Sequence, residues 1–179
     1  MRLIRPCKEY KNQFLRFYHD LLDNDPENAE FYSGAIRSYS RYIQSLIDEE
    51  AGKFLKPEHV PCSHRWFIND LGEIVGVIRI RHNIDTPILK NVCGHIGYDV
   101  APSYRRQGFG TLMLEHALQI ANERNIQSAL ISADEDNIAS RKVIEANGGK
   151  LDKVIYSHEF QSYVARYWVP THTNEQCSI

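Results

Sequence analysis

The sequence predicts a mixed α/β domain in which a central sheet is covered by helices. Three observations predict it. Two segments of helical period open the chain, a run of strand-like segments fills the middle, and a helix, a strand, a helix and two strands close it. Residues Leu3 and Ile4 begin a short strand. Over 8–22, Tyr10, Phe14, Phe17, Tyr18 and Leu21 share one helical face, and Asp23-Asn24-Asp25-Pro26 ends that helix. A second amphipathic helix over 33–49 repeats Ala35, Ile36, Tyr39, Tyr42, Ile43, Leu46 and Ile47 every three or four residues. Prolines 57 and 61 break the pattern. Strands over 65–68 and 73–80 then flank the turn Asn69-Asp70-Leu71-Gly72, which reads as an antiparallel hairpin. A further strand over 92–100 leads through the loop 103–108 into a helix marked by Phe109, Leu112, Met113, His116, Ala117, Ile120 and Ala121. A strand over 128–133, a helix over 138–146 stopped by Asn147-Gly148-Gly149, and strands over 151–157 and 163–169 complete the order.

With 179 residues, 42% hydrophobic and 25% charged, the chain has ordinary globular composition and enough length for one core. One domain is expected over 1–169, followed by a polar tail over 170–179 that lacks an apolar docking pattern. The formal charge of -2 arises from 21 basic and 23 acidic residues, interspersed along the chain. That leaves no field to attract a phosphate backbone, so nucleic acid is not an expected partner. No apolar run reaches signal-peptide or membrane-spanning length, so a cytoplasmic protein without membrane association is expected. Cys7, Cys62, Cys93 and Cys177 are widely spaced, and the histidines form no ligand motif. No metal is expected.

The chemistry is concentrated in Gly94-His95-Ile96-Gly97-Tyr98-Asp99-Val100-Ala101-Pro102-Ser103-Tyr104-Arg105-Arg106-Gln107-Gly108-Phe109-Gly110. A strand passes here through a glycine-containing loop into a helix. The first N–H groups of a helix have no intrahelical partners, and with the helix dipole they suit a pyrophosphate. Gly108 and Gly110 let the backbone approach such a ligand. The loop is neither a P-loop nor a G-x-G-x-x-G fingerprint.

The pattern Val100-x-Pro102-x-x-Arg105-x-x-Gly108-x-Gly110, followed by an amphipathic helix, resembles the acetyl-CoA-binding core of the GNAT acetyltransferase superfamily. Asn137-x-x-Ser140-x-x-x-x-Glu145-x-x-Gly148-Gly149 is similar to the next helix of that family. Ile96-Gly97-Tyr98 is similar to the branch that acetylates protein N-termini and antibiotics. The resemblance implies a mostly antiparallel central sheet of about six or seven strands flanked by helices. It also implies an enzyme that transfers the acetyl group of acetyl-CoA to a primary amine of a small molecule or protein N-terminus. The alternatives are a protein lysine acetyltransferase and a non-catalytic CoA-binding or interaction module. Exposed edge strands leave a homodimer open.

By the same resemblance, backbone amides of Arg105, Arg106, Gln107, Gly108, Phe109, Gly110 and Thr111 hold the pyrophosphate. Main-chain groups of Asp99 and Val100 pair with pantetheine on a strand that is bulged and splayed from its neighbour. Asn137 reaches pantetheine, or caps its helix instead. Ser140 lies toward the nucleotide.

Transfer to nitrogen needs an uncharged amine, a donor for the developing oxyanion and a proton for the departing thiolate. The N–H near Val100 is the expected oxyanion donor. His95 is the candidate base if the strand pleat places it with Gly97 and Asp99, and otherwise it is a satisfied sheet histidine. The tyrosine that many relatives use as acid corresponds to Ile144, so the acid stays unassigned. Tyr39, Tyr42, Tyr98 and Tyr104 read as packing aromatics. The acceptor pocket is expected under the tyrosine-bearing helices, and Arg79 and Arg81 read as a solvated strand face.

Overall fold

The computed structural model describes residues 1–172. Its N-terminal part runs through β1 (Arg2–Ile4), α1 (Lys11–Asn24), α2 (Pro26–Ala29), α3 (Ser33–Arg37) and α4 (Tyr39–Glu50). β2 (Cys62–Ile68), β3 (Ile74–Arg81) and β4 (Ile96–Val100) follow, then α5 (Phe109–Glu123), β5 (Ser128–Asp134), α6 (Ile138–Ala146), β6 (Lys150–Ser157) and β7 (Ser162–Pro170). The expected second helix is therefore two helices. Ser38 between them is extended, at φ -161° and ψ 98°. Ser33, Gly34 and Ser38 are weak helix formers, so little propensity opposes the break. The polar tail expected over 170–179 falls mainly outside the described residues.

All strand pairs are antiparallel, in two sheets ordered β1-β2-β3-β4 and β5-β7-β6. A single bridge, Gly94 to Ile131, joins them. The seven strands thus form a sheet that is split between β4 and β5. The first sheet has a core on each face. Val75, Ile78, Ile80, Ile96, Met113, Leu114 and Ala117 fill the α5 side. Phe14, Phe17, Leu21, Tyr32, Tyr39, Trp66 and Val77 fill the side of α1 to α4.

The strand expected over 92–100 begins only at Ile96, because residues 89–93 form a π-helical turn. Gly94 has φ 71°, and a Cβ there would collide with the Leu130 carbonyl oxygen. Only glycine allows that approach of the two backbones. The β3–β4 register runs without a shift from Gly76/Val100 to Ile80/Ile96. The expected splay is present, whereas the expected β4 bulge is not; the irregular pairings lie in β2 and β6.

Candidate functional site

β4 borders two different surfaces because its main chain and its side chains point in different directions. Its register with β3, together with bonds from Arg81 N to His95 O at 2.8 Å and from Ala101 N to Val75 O at 3.0 Å, assigns the bonded pairs to odd-numbered residues. The N–H and C=O of Gly97 and Asp99 are therefore turned to β3. Those of Ile96, Tyr98 and Val100 are turned to β5, from which β4 has already diverged. Asp99 thus has no main-chain group for pantetheine, contrary to expectation, while Tyr98 has the group that was sought at Asp99. The Val100 carbonyl accepts a bond from Arg105 Nε at 3.1 Å, and its N–H faces the cleft.

His95 closes the cleft. Its N–H donates to the Leu130 carbonyl at 2.7 Å, and its Nδ1 accepts the Leu130 N–H at 2.9 Å. Burial and the charge of Arg81 lower its pKa. The neutral ring has its lone pair on Nδ1 committed to a buried amide, which leaves the proton on Nε2. In this structure the candidate base is hydrogen-bonded into the sheet through both its main chain and its ring. The Arg81 N–His95 O bond keeps residue 95 in the odd-numbered register of Gly97 and Asp99, but the ring turns its Nδ1 sideways to Leu130 on β5.

Beyond β4 the loop is clamped against α1 and α2. Asp20 accepts bonds from the N–H and hydroxyl of Ser103, each at 2.9 Å, and Asp25 pairs with Arg105. Arg105 N–H is spent on the Pro102 carbonyl at 3.1 Å, so Arg105 supplies a clamp in place of the expected free amide. Arg106 and Gly108 are left-handed, at φ 62° and 83°. The first helical bond of α5 runs from Leu112 N to Gly108 O at 3.2 Å. The N–H groups of Phe109, Gly110 and Thr111 therefore have no partner inside the helix. Gly110 lets the helix start sit close to α6 and β4, since a Cβ would meet Val143 at 3.2 Å and Val100 at 3.7 Å. Phe109 turns its ring into the core against Phe67 and Tyr104. Arg106 and Gln107 are exposed, and Gln107 donates to the Ser103 carbonyl at 3.2 Å.

At α6, Asn137 Oδ1 accepts the Ser140 N–H at 3.0 Å, so Asn137 is a helix cap, worth about 1 kcal/mol. Its Nδ2 makes no bond among the described residues. Ser140 Oγ is 2.9 Å from the Tyr98 hydroxyl. Burial, against the bond to Ser140, pushes the Tyr98 phenol up to about 12. Ile144 is fully buried, as expected for a packing residue.

The opposite face of the sheet carries a cavity of about 690 Å³ between α4, the loop 53–60 and the strands. Its floor includes Cys62, His64, Arg79 and Arg81, with Tyr32, Tyr42 and Glu49 above them. Arg79 and Arg81 are therefore not a solvated strand face. Arg79 crosses Gly97, where a Cβ would lie 3.3 Å from its Nε, and pairs with Asp99 at 2.8 Å. The Tyr32 hydroxyl accepts from Arg79 at 2.9 Å and donates to Asp99 Oδ2 at 2.5 Å. Burial of Tyr32, reinforced by Asp99 and opposed by Arg79, holds the phenol well above its ordinary pKa. His64 Nε2 is 2.6 Å from Glu49 Oε2. Glu50 fastens α4 over the floor through Arg65, Ser63 and Arg124. Tyr32, Glu49 and His64 were missed as site residues. No local pattern marks them: His64 stands between Ser63 and Arg65, and Tyr32 and Glu49 lie on helical segments, so the one available signal was the alternation of Arg79 and Arg81 with Ile78 and Ile80 on the facing strand.

Comparison with known proteins identifies the family. The model of the acetyltransferase (GNAT) family matches residues 16–148, well over half of the chain. The chain belongs to the GNAT family. It is an acetyl-CoA-dependent acetyltransferase by that membership. The GNAT fold is shared with microcin C7 self-immunity acetyltransferase MccE, solved with acetyl-CoA and AMP, at a TM-score of 0.69, 17% identity, and coverage of 94% of this chain and 91% of that one. RimL, the ribosomal L7/L12 alpha-N-protein acetyltransferase solved with coenzyme A, gives 0.67 at 18% identity, covering 94% and 92%. A point mutant of spermidine N-acetyltransferase SpeG from Vibrio cholerae gives 0.57 at 12%, covering 96% and 95%. No curated protein matches the chain significantly. No helix among the described residues of this GNAT enzyme is long and apolar enough to cross a membrane.

Proposed function

We propose that this enzyme acetylates the primary amine of a small molecule, with acetyl-CoA in the β4–β5 cleft and the acceptor in the cavity on the α4 side. One observation carries the reading: β4 turns the free main-chain groups of Tyr98 and Val100 into the cleft while its Asp99 side chain, on the other face, is held by Arg79 and Tyr32, two residues that line the cavity. The residues present fit acetyl-CoA. The N–H groups of Phe109, Gly110 and Thr111 suit its pyrophosphate, and the unpaired edge of β4 suits the amides of its pantetheine arm.

An arm entering from the α5 start meets Val100 before Tyr98. Val100 N–H then serves the arm, and Tyr98 N–H, beside Gly97 and the cavity, faces the thioester oxygen as negative charge grows there. Acetyl-CoA, when bound, supplies the activated acyl group. Asp99 Oδ2 holds Tyr32 and Arg79, whereas Oδ1 makes no bond among the described residues and faces the task of receiving the ammonium. An α-amine near pKa 8 is neutral in about a tenth of molecules at pH 7, so modest help from a carboxylate suffices. The Tyr98 hydroxyl is held protonated beside Ser140, which stands one turn before Ile144 on α6, and is the candidate proton donor.

The cavity volume lies in the range of small-molecule sites, which favours a small amine over a folded protein's lysine. Millimolar acetyl-CoA is expected to raise the melting temperature by about 5–10 °C, from about 2.7 kcal/mol of linkage at a hundredfold excess over Kd. Thiol release from acetyl-CoA should follow addition of small amines and exceed that with lysine peptides. Absence of both stabilisation and calorimetric binding would overturn the proposal.

A further inference from the structure

Arg79 and Arg81 stand two residues apart on one face of β3, and both line the cavity. Their charges are in different conditions. Arg79 has Asp99 at 2.8 Å and the Tyr32 hydroxyl at 2.9 Å. Arg81 has no carboxylate within ion-pairing distance among the described residues. Its described side-chain bond runs from Nη1 to the Gly94 carbonyl at 3.0 Å, which leaves most of the guanidinium donors uncommitted.

The surrounding acids do not serve it. Glu49 reaches toward the floor from α4, but its two oxygens are taken by His64 at 2.6 Å and His59 at 3.4 Å. Asp48 and Glu58 also line the cavity, but Asp48 accepts from Gln44 at 3.1 Å, Glu58 is exposed on the loop, and neither pairs with Arg81 among the described residues. Desolvation, with the neighbouring Arg79 charge acting in the same direction, lowers the pKa of Arg81 against the pull of Cys62, Cys93 and, more weakly, Glu49. A partly desolvated guanidinium without a counter-charge is costly, and its planar fork matches a carboxylate.

The cavity also has an apolar rim drawn from three separate segments: Phe31, Phe54 and Phe160 are 68%, 90% and 51% exposed. Aromatic rings at such exposure around one opening suit an acceptor with an apolar body.

We infer that the acceptor carries a carboxylate that pairs with Arg81 and an apolar body that lies against the phenylalanine rim. The inference rests on the assignment of this cavity as the acceptor site. Acetylation then joins the amine nitrogen to the acetyl carbon, breaks the carbon–sulfur bond, and passes one ammonium proton to protein or water while the thiolate is protonated. The carboxylate remains free in the product, so the product itself reports on Arg81.

Calorimetry compares N-acetyl-L-phenylalanine with N-acetylphenethylamine, which share the ring and the amide and differ by the carboxylate. The wild-type protein is expected to bind the acid about 10- to 100-fold more tightly, as a charge-assisted pair implies, and Arg81→Gln is expected to abolish the preference. Stabilisation of Arg81→Gln by acetyl-CoA shows that the variant is folded. Arg81→Lys, which keeps the charge and loses the fork, should retain part of the preference. Equal binding of the two probes, undiminished preference in Arg81→Gln, or no binding of the acid by protein that binds acetyl-CoA overturns the inference alone. Failure of acetyl-CoA to stabilise the wild-type protein overturns the acetyl-transfer reading and this inference with it.

Discussion

The loop proposed to hold the pyrophosphate and the cavity proposed to hold the acceptor lie on opposite faces of the first sheet and are assembled in opposite ways. The loop is continuous in sequence: Val100 to Thr111 supplies the strand end, the turn and the helix start. The cavity draws Tyr32, Glu49, His64, Arg79, Arg81 and Phe160 from five elements or loops. Backbone conformation and unpaired N–H groups make the first, and they depend on glycine positions and helix ends. Side chains on facing strands make the second, and they meet only once register is fixed.

If that contrast is right, substitutions in the cavity should affect turnover with little change in acetyl-CoA binding, and substitutions in the loop should do the reverse. The largest effect is expected for Asp99→Asn. Removing the carboxylate proposed to dock and deprotonate the amine should lower kcat/KM by about 10²- to 10³-fold. The acetyl-CoA-induced rise in melting temperature should survive, because Asp99 turns its main chain to β3 and not to the cleft. Weakened acetyl-CoA binding with unchanged turnover would reverse the assignment of the two faces.

Gly108→Val is expected to act on the other arm of the contrast. No atom lies within 4 Å of the position a Cβ would occupy at Gly108, so packing does not resist the substitution. The φ of 83° does resist it, and a β-branched residue held left-handed costs about 1–2 kcal/mol. The open space is where a pyrophosphate would approach, so acetyl-CoA affinity should fall by roughly 10- to 100-fold, beyond that folding cost. Calorimetry on the folded variant measures it. Unaltered affinity would make Gly108 a turn residue only.

The same contrast explains what could be read in advance. The element order and the α5 start were legible because hydrophobic period and glycine spacing are local signals. The break at Ser38 was not, since tertiary packing of Tyr32, Ala35 and Tyr39 decides it. Asp99 was placed in the cofactor site because its sequence neighbours belong there. Only the pairing of Val77 with Asp99 shows that its main chain is bonded to β3 and its side chain belongs with Arg79. Arg79 and Arg81 looked like surface charges for a related reason: alternation shows that two residues share a face, but not that α4 and the loop 53–60 roof it over.

His95 stands where the two regions meet, and its substitution should give the smallest effect. Its Nδ1 satisfies the Leu130 N–H at 2.9 Å, the last link between the sheets before they part. A glutamine side-chain oxygen can accept the same N–H, so His95→Gln should keep most of the stability, whereas an alanine would leave a buried donor unpaired at about 1–3 kcal/mol. The pH response separates structure from catalysis. Burial and Arg81 lower the folded pKa of His95 below the unfolded value near 6.5, so the unfolded chain binds the extra proton first as pH falls. Stability from the neutral ring is fully present above about 6.5 and declines toward the folded pKa, and His95→Gln should flatten that decline. Turnover should fall by less than about tenfold, with the acidic limb of the rate profile retained, if Asp99 and not the imidazole meets the amine as proposed. A loss of about 10²- to 10⁴-fold on an amine of high pKa, with the acidic limb abolished, would instead make His95 the base and require the ring to release Leu130 during the reaction.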